Sequence, residues 1–339
     1  MVINMIWYKK ENNDDIMVST RVRLARNIAK YPFPNVMNVQ DIDSAKKEII
    51  SALEAEKDTI GELNVIEMSG ADSLERKVMM EKHLISSELV EKNQAAVLIS
   101  ADEELSIMLM EEDHIRIQSI MGGFALKEAY ELANKADDAI EKKVEFAFSE
   151  KYGYLTACPT NVGTGMRASV MMHLPALTMT GNIDRIIKSA SNLGLEVRGL
   201  YGEGSKAHGS LYQLSNRITL GISDDEIIEK LENIASQIKS REEEARNAIK
   251  DKNEVSDRLW RSLGTLKYAR SLNSREAKTL LSDYILGINM GIIDEKIKQN
   301  PIELMVLTEP ANIGKIAGGA LLDADERDIK RAEIVRSSV

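Results

Sequence analysis

Cys158-Pro159-Thr160-Asn161-Val162-Gly163-Thr164-Gly165-Met166-Arg167 is the stretch against which the remainder of the chain is read. It contains the only cysteine, two glycines around a threonine, and an arginine two residues past the second glycine. Glycines let a backbone approach a ligand closely and aim several N–H groups at one anion. An arginine beside such a turn adds a permanently charged planar fork that suits phosphate oxygens. A tight turn after a strand, opened by a small buried thiol, would use the same residues. The company the stretch keeps decides between the two.

The 339 residues can bury a full core and are expected to form two domains, 1–250 and 251–339, divided within the charge-rich stretch Arg241–Asp257. A net charge of −10 argues against a dedicated nucleic-acid binder, which shows a basic face. A single cysteine excludes an intrachain disulfide and fits a reducing cytoplasm. No stretch reads as a signal peptide and no apolar run is long enough to span a membrane, so a cytoplasmic protein is expected.

Upstream lies Ser19-Thr-Arg-Val-Arg-Leu-Ala-Arg-Asn27. The alternation Arg21, Val22, Arg23 is strand-like and puts both arginines on one face. Parallel guanidinium groups repel unless an anion sits between them; a solvated basic edge strand would show the same pattern. In Ser106–Gln118 an apolar strand runs into Glu111, Glu112, Asp113 and His114. That break puts carboxylates at a strand end, as an acidic turn also would. No second cluster appears at metal spacing, which rejects a zinc site. Arg198–Gly209 holds four glycines and reads as a mobile lid or a flexible hairpin.

Periodicity predicts helices over 41–57, 72–91 (carrying His83), 123–142, 168–177 and 183–193, and another from Ser223. Strands are expected over 64–68, 95–100, 146–148, 152–156, 195–197 and 210–220. Beyond Asp257 the pattern is helical, with capping signals at Asn273/Glu276 and at Asn300-Pro301-Ile302-Glu303. Arg327 and Arg331 fall one turn apart on a final helix, where a solvated charged face is the plain reading.

Five arginines in separate motifs, carboxylates at Glu111, Glu112 and Glu203, and two glycine-rich segments suit phosphoryl transfer to a cationic acceptor. Neither a Walker A sequence nor the protein-kinase His-Arg-Asp set is present.

Ser-Thr-Arg-Val-Arg (19–23), Glu-Glu-Asp-His-Ile-Arg (111–116), the Cys158–Arg167 stretch and Arg-Gly-Leu-Tyr-Gly-Glu (198–203) together resemble the phosphagen kinases, the creatine and arginine kinase family. The resemblance covers residues 15–245. The helical domain that the metabolic members place ahead of the first arginine block is missing, and Arg-Asp-x-x-Arg-Ala (327–332) closes the chain instead. That arrangement looks like the bacterial branch acting on arginine in proteins.

The resemblance implies an α+β fold: a catalytic domain with a mainly antiparallel sheet flanked by helices, then a smaller all-helical C-terminal domain. It implies ATP with Mg²⁺. The nucleotide would be held by Ser19, Thr20, Arg21, Val22 and Arg23, by His83 near the adenine, by Arg116, and by Arg167, Ala168, Ser169, Val170 and Met171. Arg198, Gly199, Leu200, Tyr201 and Gly202 would complete that set. Glu112 would be the base and Glu203 the second clamp on the guanidinium, with Cys158 beside it. Glu111 would orient waters on Mg²⁺, and no dedicated protein metal site is expected. Arg327, Asp328, Arg331 and Ala332 would bind phosphoarginine and couple it to activity. The implied partners are a zinc-binding activator, a heat-shock repressor and a Clp ATPase, with a homodimer as the assembly. A phosphagen kinase for a free guanidino compound and a silent adaptor are the alternatives.

Overall fold

The computed structural model describes residues 6–9, 14–199, 207–295, 298–319 and 322–339. The first half runs β1 (Met17–Arg26), α1 (Val39–Ala55), α2 (Lys57–Ile60), β2 (Leu63–Glu67), α3 (Ser73–Glu81), α4 (Ser87–Val90), β3 (Ala96–Ser100), β4 (Leu105–Leu109), β5 (Ile115–Gly122) and α5 (Leu126–Glu141). A two-strand hairpin, β6 (Phe148–Ser149) and β7 (Gly153–Tyr154), leads to β8 (Met166–His173), α6 (Pro175–Met179), α7 (Ile183–Asn192), β9 (Leu195–Gly199) and β10 (Leu211–Asn216). The rest is helical: α8 (Asp224–Ile249), α9 (Asn253–Tyr268), α10 (Ser274–Asn289), α11 (Pro301–Leu307), α12 (Pro310–Ile316) and α13 (Ala324–Ser338).

The strands hydrogen-bond in the order β2-β3-β4-β5-β1-β8-β10-β9, and β2 to β5 and β1 pair antiparallel. The described residues form two compact units. The first is mainly Ser19–Ser169 and Ser215–Glu232; the second is mainly Val170–Leu214 and Asn233–Val339. In the first unit α1 buries Ile42, Ala45, Ile49, Ala52 and Leu53, the stripe its 3.6-residue period requires. The central strands β3 and β4 are buried on both faces, which explains their unbroken apolar runs.

Two expectations fail. Residues 72–91 are not one helix: α3 stops at Glu81, His83 takes a φ of +63°, and α4 restarts at Ser87 with Ser86 as its cap. The expected helix over 168–177 is β8 followed by a separate short helix. Ala168–His173 is buried on both sides, so its apolar run shows neither period, and Pro175 opens α6 at its first turn.

In the second unit the C-terminal helices are held by polar pins as well as apolar packing. Asp283 of α10 accepts from Arg258 Nε at 2.9 Å and from Ser262 Oγ at 2.8 Å on α9. His173 Nε2 meets Ser282 Oγ of α10 at 2.8 Å.

Candidate active site

In the β1–β5 register Arg23 lies opposite Gln118 and Ala25 opposite Arg116. Opposed residues share a face and alternate residues return to it, so Arg21, Arg23 and Arg116 lie on one side of the sheet. Arg167, second residue of β8, is held by Asn161 Oδ1 at 3.2 Å from its Nε and by the Asn216 carbonyl at 3.0 Å from its Nη1. Burial pushes the Arg21 guanidinium down to about 10, with the charge of Arg116 adding to it. Arg23 is pushed well below its usual range by burial and then by Arg21, Arg116 and Arg167; Glu111 opposes this only in part. Its Nε is buried with no hydrogen-bond partner among the described residues. Cations that destabilise one another in a partly dry site favour an anion among them.

The third arginine of the block does something else. Arg26 is buried, donates to Asp137 Oδ2 from Nε (3.1 Å) and Nη2 (2.7 Å), and caps the carbonyls of Ala25 and Thr164. Its Cζ lies 3.5 Å from the Tyr154 ring centroid.

The polar residues between β4 and β5, Glu111 to His114, divide the work. Glu111 is fully buried, bonded to Ser86 Oγ, and takes Arg116 Nη1 at 2.7 Å. Glu112 is half-buried, with Arg116 Nη2 at 3.5 Å. Burial first, and then the neighbouring Asp113, raise its carboxyl above the usual range; Arg116 pulls the other way. Asp113 Oδ1 accepts from Asn27 Nδ2 and from the Ala157 N–H, both at 2.6 Å. His114 Nδ1 accepts from the Ile28 N–H at 2.9 Å, so Nε2 carries the proton given to the Pro32 carbonyl at 2.8 Å. Burial lowers its pKa and keeps the ring neutral.

Asp113, next to Glu112, thereby fastens the chain just ahead of Cys158 through the Ala157 N–H. Cys158 Sγ lies 3.0 Å from Thr160 Oγ1. The glycines serve close packing of protein on protein. A Cβ on Gly163 (φ +115°) would stand 2.0 Å from the Thr219 carbonyl oxygen. On Gly165 (φ +67°) it would stand 2.6 Å from the Ala25 carbonyl oxygen. Thr219 Oγ1 donates to the carbonyls of Thr160 and Val162 at 3.0 and 2.7 Å, locking the turn. Sequence reasoning missed Asp113, Asn27, Asn161 and Asn216 as the polar frame of this corner. Asn27, Asp113 and Asn161 lie inside the motifs, a position that alone names no partner, and Asn216 lies in the 210–220 strand with no signal of its own.

Among the other candidates, Thr20 donates to the Gly123 carbonyl at 2.7 Å and accepts from the Ala125 N–H, and Ser19 and Val22 are buried. Ala168, Ser169, Val170 and Met171 are buried in β8, with the Ala168 N–H on Asn216 Oδ1. The His83 ring lies 5.5 Å from that of Trp7. Arg198 and Gly199 end β9 in the second unit, where exposed Arg198 pairs with Glu196 at 2.6 Å. Leu200, Tyr201, Gly202 and Glu203 lie outside the described residues. On α13 Arg327 donates to the Leu322 carbonyl at 2.7 Å. Arg331 is buried, donates to the carbonyls of Thr308 (2.9 Å) and Leu272 (2.8 Å), and is bonded to Asp328. Ala332 is buried beside it.

Four neighbouring arginines beside a raised carboxylate at a strand end have the chemistry that phosphoryl transfer needs, and comparison with known proteins gives the family. Residues 44–245 match the family model described as ATP:guanido phosphotransferase, C-terminal catalytic domain. Residues 252–339 match that described as Protein-arginine kinase McsB C-terminal domain. The chain belongs to the ATP:guanido phosphotransferase family and is a kinase that uses ATP.

Relatives along nearly the whole chain are protein-arginine kinases. That of Bacillus subtilis (strain 168) is 48% identical over 334 residues, 97% of this chain and 92% of the relative. That of Desulforamulus reducens is 44% identical over 328 residues, 95% and 92%. Among solved structures, lombricine kinase aligns with a TM-score of 0.60 at 23% identity, covering 69% of this chain and 68% of its own. The duplicated taurocyamine kinase from Schistosoma mansoni with transition state analog components aligns at 0.64 and 22% identity, covering 80% of this chain and 40% of its own. Both bear out the α+β phosphagen-kinase fold.

Proposed function

We propose that this kinase transfers the γ-phosphoryl group of ATP to the guanidinium of arginine side chains in proteins. The observation that carries the chemistry is Glu112, a half-buried carboxyl raised above its usual range at the edge of the arginine cluster. The specificity for proteins rests on the relatives, which carry that name over nearly the whole chain.

A protonated guanidinium is a poor nucleophile. Glu112 would accept its proton as the N–P bond forms and the bond from phosphorus to the ADP oxygen breaks. Arg21, Arg23, Arg116 and Arg167 would neutralise the oxygens of the transferring group and hold it in line. The same resemblance gives Arg198 a fifth fork, Glu203 the second carboxylate, and Cys158 a place beside the guanidinium. His83 and the backbones of residues 19–23 and 168–171 would frame the nucleotide.

Magnesium fits as an ion carried on the nucleotide phosphates. No group of three potential ligands occurs among the described residues, and the Glu111 carboxylate is already engaged by Ser86 and Arg116. Glu111 would act on it through water, and the ion would add positive charge at the phosphate oxygens.

Residues 1–250 would carry the transfer and 251–339 the regulation. Arg327 would receive the phosphoryl group of phosphoarginine at the second site. Arg331 would shape that site from beneath, because its Nε and Nη1 are committed to carbonyls. The resemblance further suggests a cytoplasmic homodimer in a stress response. A zinc-binding activator, a heat-shock repressor and a Clp-type ATPase would be its partners.

Incubation with ATP and a protein bearing exposed arginines should yield acid-labile phosphate on the protein, and free arginine should be a poor acceptor. Glu112→Gln should lower kcat by about 10³-fold with the fold intact. Transfer undiminished in that variant, or confined to free arginine, would overturn the reading.

A further inference from the structure

We propose that Asn216 is a positioning residue for phosphoryl transfer, acting through the guanidinium of Arg167. This role rests on the kinase reading above and names what sets one of the phosphate-binding forks in place.

Asn216 closes β10 and Arg167 is the second residue of β8, and both belong to the first unit. In an extended strand the carbonyl of one residue and the N–H two places on point to the same side. Met166 and Ala168 present such a pair around Arg167, and the buried amide of Asn216 answers both. Its Oδ1 accepts from the Ala168 N–H at 2.8 Å, and its Nδ2 donates to the Met166 carbonyl at 3.0 Å. Nδ2 also donates to the Ile218 carbonyl at 3.1 Å, which spends its second hydrogen. The side chain thus does for β8 what a peptide group of a neighbouring strand would do, at the residue that carries the guanidinium.

The same residue then takes the guanidinium itself. Arg167 Nη1 donates to the Asn216 main-chain carbonyl at 3.0 Å, and Nε to Asn161 Oδ1 at 3.2 Å. Both acceptors are uncharged, unlike the Asp137 carboxylate that takes Nε and Nη2 of Arg26. Arg167 is therefore fixed at two corners with its charge intact, and that charge is felt at Arg23, whose pKa it helps to lower. Its Nη2 has no hydrogen-bond partner among the described residues and is left to an anion. Misplacing such a fork by about 1 Å costs rate, so the residue that fixes it serves the reaction and not only the fold.

The test uses the full-length kinase with ATP and a protein bearing exposed arginines, in a double-mutant cycle of Asn216→Ala and Arg167→Ala. Leu53→Ala, buried on α1, serves as a destabilised control. At a temperature where every variant is folded, Asn216→Ala should lower kcat/KM for ATP about 100-fold. On the Arg167→Ala background the same change should cost about twofold or less, because the group it places is gone. The control should stay within about twofold of the parent although it too unfolds more readily. Asn216→Ser, which keeps a short polar side chain, takes the place of Asn216→Ala if the latter does not fold.

Equal losses on the two backgrounds would overturn the role by making Asn216 a general support of the fold. A loss in the control matching that of Asn216→Ala would do the same, and full activity in Asn216→Ala would overturn the role directly. A parent that transfers phosphate to neither protein nor free arginine would sink the kinase reading and this role together; the other failures leave transfer by the parent intact.

Discussion

Arg23 and Arg26 stand three residues apart on one strand and lead opposite lives. Arg26 spends its donors on Asp137, Ala25 and Thr164 and lies against Tyr154. Arg23 is crowded by three other guanidinium groups and keeps a buried Nε without a hydrogen-bond partner among the described residues. An offset of three, an odd number, puts the two side chains on opposite faces, one toward the first unit's own packing and the other toward like charge. An arginine satisfied by protein groups builds the fold; one held against its own kind is poised for an anion. Arg331 repeats the first pattern in the C-terminal helices, where it ties α13 to Leu272 and Thr308.

The sharpest way to break this contrast is to remove each arginine separately. Arg26→Ala leaves Asp137 buried without its counter-ion and should cost about 3–5 kcal/mol of stability, read as a lower denaturant midpoint. Arg23→Ala should leave that midpoint within about 0.5 kcal/mol or raise it, because a mutually repelled cation is gone. Its effect should fall on kcat/KM for ATP, lowered about 100-fold. Equal stability losses in both variants would erase the distinction.

Next in size is Gly163→Ala. The added Cβ meets a carbonyl oxygen at 2.0 Å with φ at +115°, so about 2–3 kcal/mol of destabilisation is expected. A neutral result would return this glycine to a ligand-facing role.

The smallest effect sharpens the acid block. Glu112 must be ionised to accept a proton, so log kcat/KM should rise with pH and level off above its pKa. Burial and Asp113 set that midpoint above the ordinary carboxylate range. Asp113→Asn keeps an oxygen for Asn27 and the Ala157 N–H but removes the charge, so the midpoint should move toward acid, by less than about one unit. An unmoved midpoint would remove Asp113 from the causes and leave burial as the main one.

Much of this was legible before any coordinates. The alternation at Arg21 and Arg23, the acids after the 106–110 strand, and the stripe of α1 each follow from local periodicity and match the structure. The β8 segment was misread because burial on both faces removes the alternation that marks a strand. Residues 72–91 were misread because the interruption at His83 is a backbone event that helical spacing does not register. The site was legible as a set of charged motifs, yet the division of labour within it was not. Nothing in Glu-Glu-Asp-His marks the second acid as open while the first is engaged by Ser86 and Arg116 and the third by Asn27.

Taken alone, the sequence determined which residue types this protein has for phosphoryl transfer and in what order, because charge, φ restriction and strand alternation are properties of neighbours along the chain. The tertiary structure decided which arginines are spent and which are crowded, and that the glycines of the Cys158 stretch accommodate Thr219 and Ala25. Those outcomes depend on burial and on partners distant in sequence, and the cost of an unmet charge or hydrogen bond arises only once the chain has closed around it.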